Sequence, residues 1–219
     1  MKPFRSWFFL TFSIGFPIKI LFAQAPEPPI PIEIMPSQDQ LYFQLVVKKQ
    51  FTPTSRFNFF TVTTFTANDQ NEMRKSSVLI PAQVQYEFGK KGFGAMAGGE
   101  MNSVVGFYPI FGPLHTYVSA KFLAVTVATF YVNQEQDFKL FGLYEYKPML
   151  SEKWVLYTRL QFIYNHSIRE GAHNRSYLYL RTGLKKGPMI FGIGANLDQF
   201  GADKTYRDSF GPFLRWELR

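Results

Sequence analysis

The chain contains no cysteine. That excludes a disulfide framework, a lipid-modified N-terminal cysteine and any thiolate metal site, so packing and polar pairing must hold the fold. Long apolar runs are also missing: past residue 25 no uninterrupted stretch of 18 apolar residues occurs, which excludes a membrane-spanning helix. Histidine is scarce, with three residues, His115, His166 and His173, so each imidazole can be judged on its own. Acidic residues are outnumbered 16 to 24 by Lys and Arg, a formal charge of +8. The basic residues are scattered through strand-like segments rather than clustered, which argues against a nucleic-acid partner and for contact with anionic lipid headgroups. What the chain has in abundance is aromatic residues, 25 Phe and 12 Tyr.

The first residues have the layout of a secretory leader. Lys2 and Arg5 form a basic start, Trp7 to Ile18 are almost wholly apolar, and Leu21-Phe-Ala-Gln-Ala25 offers small residues for cleavage. Pro26 obstructs a cut after Ala25, so cleavage is expected after Ala23, giving a leader over 1–23. Lys2, Arg5 and Lys19 would leave with it, taking +8 to +5.

From Gln40 onward the hydrophobic period is 2, not 3.6. Val78, Ile80, Ala82, Val84, Tyr86 and Phe88 alternate with a mostly polar set; so do Trp154 to Tyr164, Leu178 to Leu184 and Phe210 to Leu218. The segments run about ten residues, the length of a tilted bilayer-crossing strand rather than of a strand in a globular sheet. Eleven strands are expected, at 40–51, 56–67, 77–88, 92–102, 113–121, 123–132, 137–147, 153–165, 175–185, 188–198 and 209–218. Parity with both ends of the chain on one side requires another, and Ile30-Pro-Ile-Glu-Ile34 alternates suitably. The fold class is therefore all-β, an antiparallel transmembrane up-and-down β-barrel of twelve strands, or ten if a segment is mis-split. Residues 24–39 form a Pro-rich segment with a possible first strand, and 40–219 the barrel. Four long connections, 68–76, 103–112, 166–174 and 199–208, are expected outside the cell, and tight turns such as Gly89-Lys-Lys91 and Lys186-Gly187 on the periplasmic side. Tyr86, Phe88, Tyr144, Tyr146, Trp154 and Trp216 fall at the periplasmic strand ends and Phe162 and Tyr164 at the outer ends, as interfacial aromatic girdles require.

With its export signal, ten-residue alternating strands and the closing Phe210-Gly-Pro-Phe-Leu-Arg-Trp-Glu-Leu218, the chain resembles the uncharacterised outer-membrane β-barrel families of the Bacteroidota type. The resemblance implies fold, an outer-membrane location, the lipid bilayer as surroundings and the barrel-assembly machinery as a partner during biogenesis. It brings no catalytic residue, and the chain ends in Arg219 rather than the aromatic residue with which many outer-membrane proteins end.

Chemistry is sparsely signalled. His166 and Ser167 are adjacent, and His173 and Ser176 three apart, so in a regular strand each pair points to opposite faces; His115 and Ser119 share a face but lie ~13 Å apart. No Ser-His pair is expected, and hence no enzyme. The Gly92-Phe-Gly-Ala-Met-Ala-Gly-Gly99 and Phe191-Gly-Ile-Gly-Ala195 stretches lack the strand, loop, helix setting of a phosphate site, Asp198, Asp203 and Asp208 fit no calcium loop, and no cofactor is implied. The informative residues are those facing inward if the greasy set faces lipid: Gln83, Gln85, Glu87, Glu100, Glu145, Arg159, Gln161, Arg181, Asn196, Asp198, Arg215 and Glu217. Charges of both signs must either pair in a closed lumen or line a wet one. The sequence thus supports a non-enzymatic outer-membrane barrel, either a narrow channel for small solutes or a structural or binding barrel. The alternatives are a membrane-embedded lipid hydrolase, which needs a His and a Ser meeting near the outer rim, and a secreted soluble barrel carrying an apolar ligand.

Overall fold

A computed structural model describes residues 28–68 and 76–218. The leader, its cleavage point, most of the 68–76 connection and Arg219 lie outside the described residues. Twelve antiparallel strands form one closed barrel: β1 (Ile30–Pro36), β2 (Gln40–Gln50), β3 (Phe57–Asn68), β4 (Ser77–Glu87), β5 (Phe93–Asn102), β6 (Gly106–Val118), β7 (Phe122–Tyr131), β8 (Asp137–Tyr146), β9 (Val155–Ser167), β10 (Ala172–Lys186), β11 (Met189–Phe200) and β12 (Thr205–Leu218). Each strand pairs with its sequence neighbours, and β1 closes the ring on β12 with Ile30 opposite Leu218 and Glu33 opposite Arg215. The short proline-flanked stretch at 30–36 is thus the twelfth strand, and closure leaves no edge with unpaired backbone groups.

The wall sorts its side chains by the period of 2. Outward lie Ile34, Leu41, Phe65, Ile80, Val84, Phe111, Leu160, Leu180, Ile193, Leu214 and Trp216, all well exposed. Inward lie buried Glu33, Gln44, Gln85, Glu145, Arg159, Gln161 and Arg181. An apolar exterior around a polar interior inverts the soluble pattern and is the polarity of a barrel that crosses a bilayer. Aromatic rings gather at the two ends of the wall. Phe57 and Tyr86, 4.8 Å apart between ring centroids, and Tyr117 and Phe122, 6.2 Å apart, mark the rim that carries both ends of the barrel, here the lower rim. Phe130 and Phe138, 5.3 Å apart, mark the upper rim.

The connections differ from the sequence expectation. The segment 103–112 is not a long loop: β6 begins at Gly106 and only 103–105 turn. The turns at 168–171 and 201–204 are equally short, because β9 to β12 extend into what reads as loop. Pro109, inside the expected connection, and Pro113 both lie within β6, each opposite a small residue of β5, Gly99 and Ala95. The Gly/Ala run of β5 is therefore the seat for the bulky outward side of β6; a Cβ on Gly99 would lie 2.2 Å from the Phe107 ring. The lower rim carries the 147–154 connection, as long as any at the upper rim. Turn length therefore does not orient the barrel.

Leu160, 38 % exposed, points outward from the middle of β9. Leu160→Arg is expected to cost roughly 2–4 kcal/mol of membrane-folded stability, the cost of an arginine facing lipid at mid-depth, while Leu160→Phe is tolerated. The amount of heat-modifiable folded barrel in membranes reads both; equal recovery of the two variants would mean that β9 does not face lipid with this side.

Candidate functional site

The inward face divides the lumen in two. Toward β3 to β8 it is richer in apolar residues, with Phe60, Val62, Met96, Ile110, Leu114, Val125, Val127, Phe141 and Leu143 in a buried cluster that continues through Tyr157, Tyr177 and Phe213 and is interleaved with Gln83, Gln85, Glu100 and Lys139. Toward β8 to β2, through β12 and β1, it is ionic. There the register places Glu33 beside Arg215 and Glu145 beside Arg159, so each carboxylate has an opposite charge on the adjoining strand. The shortest contacts run elsewhere. The Arg159 guanidinium donates to Glu33 at 2.7 Å, joining β9 to β1, and Arg215 lies 2.8 Å from Glu145, joining β12 to β8. Arg181 of β10 also donates to Glu33, at 2.8 Å. These pairs cross the lumen rather than follow the wall.

The residues around them complete a plug. Arg181 also donates to Asn196 Oδ1 at 2.9 Å and to the carbonyls of Leu180 and Ala195. Its guanidinium lies over the Tyr42 and Phe213 rings at 5.5 and 5.8 Å. Gly194, its register partner, makes the room: a Cβ there would stand 2.8 Å from Arg181 Cδ. Gln44 of β2 donates to Gln161 of β9 at 2.8 Å, and Gln161 donates to the Tyr177 hydroxyl at 2.9 Å, a link between nearly opposite walls. Toward the lower rim the Tyr157 hydroxyl donates to Glu145 at 3.0 Å, Lys147 lies 2.8 Å from Glu145, and Lys185 pairs with Glu217. The side chains of Arg159 and Arg181 are 0 % exposed and that of Glu33 1 %; Glu33 Oε2, Arg159 Nε and Nη1, and Arg181 Nη2 have no hydrogen-bond partner among the described residues.

Of the twelve inward residues read from the sequence, seven meet in this network: Glu145, Arg159, Gln161, Arg181, Asn196, Arg215 and Glu217. The others are held elsewhere. Glu87 takes Lys48 at 3.1 Å and Asn58 at 3.3 Å near the lower rim. Glu100 binds Lys139 and the Tyr131 hydroxyl. Asp198 takes Arg175 at 2.7 Å and Tyr179 at 2.9 Å toward the upper rim. Gln83 and Gln85 are buried on β4, facing the apolar half. Sequence reading missed Glu33, the centre of the network, although an acid within Ile30-Pro-Ile-Glu-Ile34 has its own signal: the isoleucines take the lipid side and leave it only the lumen. It also missed the apolar half, because β7 is apolar on both faces and shows no alternation.

A second polar site, outside the lumen, corrects the expectation that His173 and Ser176 face opposite ways. The β9–β10 register slips between His173 and Arg175, so Asn174 is an extra, bulged residue. A bulge shifts the alternation by one, and residues three apart then share a face. The His173 Nε2 and Ser176 Oγ lie 3.1 Å apart, and His173 Nδ1 lies 2.8 Å from the Gly201 carbonyl oxygen. Among the described residues, no group of three or more His, Asp or Glu is arranged to hold a metal ion.

No known family model matches the chain, and no curated protein matches its sequence. Solved structures similar to it are barrels: the KdgM porin (11 % identity, 87 % of this chain and 99 % of that one, TM-score 0.47), the NanC porin (8 %, 86 % and 100 %, 0.48) and LpxR from Salmonella typhimurium (7 %, 86 % and 99 %, 0.45).

Removing one partner of a buried ion pair strands the other charge, at a cost of about 3–5 kcal/mol. Glu33→Ala strands two arginines and is expected to lower sharply the temperature at which the folded band disappears in heat-modifiability gels. Lys48→Ala breaks a pair whose side chains are 22 % and 28 % exposed, and is expected to shift that temperature little, as partly exposed pairs do. Similar shifts for the two would show that Glu33 is not the keystone of the lumen.

Proposed function

We propose that the chain is an outer-membrane β-barrel that is closed at rest and works as a structural or binding barrel through its rims and outer wall, rather than as an open solute channel. The observation that carries this reading is the crossed set of ion pairs at Glu33, Arg159, Arg181, Arg215 and Glu145, packed against an apolar half-lumen. A pore needs a continuous wet path; here the lumen between the rims holds Tyr42, Gln44, Gln161 and Tyr157, all fully buried. The leader at 1–23 supports export, and a barrel whose two ends share the lower rim sits with that rim toward the periplasm.

In planar bilayers the purified protein is expected to show no steady conductance at low voltage, whereas the triple variant Glu33→Ala, Arg159→Ala, Gln161→Ala, which empties the plug, is expected to conduct. Steady channels in the unaltered protein would overturn the closed reading.

Orientation is tested separately, in a chain free of native cysteine. An impermeant thiol reagent on intact cells is expected to label Glu170→Cys and Ala202→Cys, in exposed upper-rim turns, and to spare Lys90→Cys and Lys186→Cys at the lower rim. The opposite pattern would invert the barrel.

A further inference from the structure

We infer that Ser176 and His173 form a catalytic pair that cleaves acyl esters of membrane lipids at the upper rim of the outer wall. A carbonyl oxygen only accepts, so the 2.8 Å contact of His173 Nδ1 with Gly201 requires Nδ1 to carry the hydrogen. In the neutral ring Nε2 then holds a lone pair, and the Ser176 hydroxyl, 3.1 Å away, donates to it. This is the arrangement of an activated serine: nucleophile, base, and a third group that fixes the base's tautomer. His173 is 8 % exposed and packs near the Tyr164 ring, so the base is held while Ser176 remains accessible.

The depth of the pair names the substrate. Outward residues of β10 run Leu184, Thr182, Leu180, Leu178 and then Ser176; those of β11 run Phe191, Ile193, Ala195, Leu197 and then Gln199; those of β12 run Trp216, Leu214, Pro212, Phe210 and then Asp208. On β10 and β11 the aliphatic belt ends at the paired Ser176 and Gln199, whose register neighbour on β12 is the exposed Tyr206; Asp208 lies one outward position lower, beside Leu197. That boundary is where a bilayer passes from hydrocarbon to headgroup, and where the ester carbonyls of its lipids lie. Below, on the same strands, the wall hollows into a groove of about 570 Å³ whose lining includes Leu160, Leu180, Thr182, Ile193, Ala195 and Phe210. Leu180 is four residues from Ser176, ~13 Å along the strand, so an acyl chain whose carbonyl meets Ser176 lays its distal half in the groove.

The chemistry balances with water as co-reactant. Ser176 Oγ attacks the ester carbonyl and its proton passes to His173 Nε2. The carbon–oxygen bond to the lipid alcohol breaks, and the alcohol leaves with that proton. Water then attacks the acyl-serine, again giving its proton to Nε2 and then back to Oγ, and the fatty acid departs. Gln199 Oε1, 3.4 Å from Ser176 Oγ, is a second and longer acceptor for the hydroxyl; rotation of that amide would bring its NH₂ toward the oxyanion.

The test uses the full mature barrel in detergent, with folding checked by heat modifiability. A long-chain alkyl fluorophosphonate is expected to label Ser176, read as a mass shift on its peptide. Fatty acid is expected to be released from mixed micelles of either phosphatidylethanolamine or lipopolysaccharide, the two arms identifying the lipid that carries the ester. Both signals are expected to vanish in Ser176→Ala and to fall at least ~100-fold in His173→Ala, the usual contribution of a general base. A folded, unaltered protein that takes no label and releases fatty acid from neither lipid overturns the inference, as does activity that survives in Ser176→Ala. Neither result bears on the closed lumen, which the conductance measurement reads alone.

Discussion

The constraint on which this barrel depends is that charges placed inside a membrane must find partners inside the barrel. Twelve strands enclose more space than backbone can fill, and lipid on the outside offers no relief to a polar group. The chain meets this by sending opposite charges across the lumen. Glu33 and Arg215 are neighbours by register, as are Glu145 and Arg159, yet the short contacts exchange partners, Arg159 with Glu33 and Arg215 with Glu145. Pairing along the wall would leave the centre unfilled; pairing across it ties β1 to β9 and β12 to β8, strands that never touch through their backbones. Gly194 belongs to the same solution, since only a residue without a side chain lets Arg181 lie flat enough to reach Glu33 and Asn196 together.

Much of this was legible from alternation alone. The outward set of β4, β9, β10 and β12 can be read from every second residue, and with it the inward position of Arg159, Gln161, Arg181 and Arg215. What alternation could not deliver were partners, because a period of 2 assigns a face and says nothing of what stands opposite. Glu33 was hidden by the prolines around it, and the apolar half-lumen by β7, where Val125 and Val127 face inward while Ala124 and Phe130 face lipid. The turns misled for a related reason. Gly106 and Pro109 carry the composition of a loop, but Gly106 opens β6 and Pro109 answers to the Gly/Ala seat on the preceding strand, β5.

The Ser-His pair shows how sharply chemistry can hinge on a single inserted residue. Read as an ideal strand, β10 puts His173 and Ser176 on opposite faces, and no sequence signal marks Asn174 as the residue that breaks the ladder. Its side chain explains the break: the Asn174 amide donates to Asp137 at 2.7 Å, inside the barrel, at a height where Arg175 also points inward. Two successive inward residues force the slip, and His173 is turned out as a result. The ion pairing and hydrogen bonding of the lumen thus determine which groups face the lipid on the other side of the wall.

With the lumen closed as proposed, three surfaces remain, two rims and a wall. The lower rim has mainly short turns and exposed lysines, and the upper rim's turns at 103–105, 168–171 and 201–204 are too tight to form a deep binding cavity. The wall is different. Over β9 to β12 the outward Thr158, Thr182 and Ala195 thin it into a groove, on the same strands that rise to Ser176. Arg159 and Arg181, which line the groove, are also the residues clamped to Glu33 on the lumen side. The proposed hydrolysis needs a lipid kept in register with Ser176, and the pairing of Arg159 and Arg181 with Glu33 ties together the strands that would hold it.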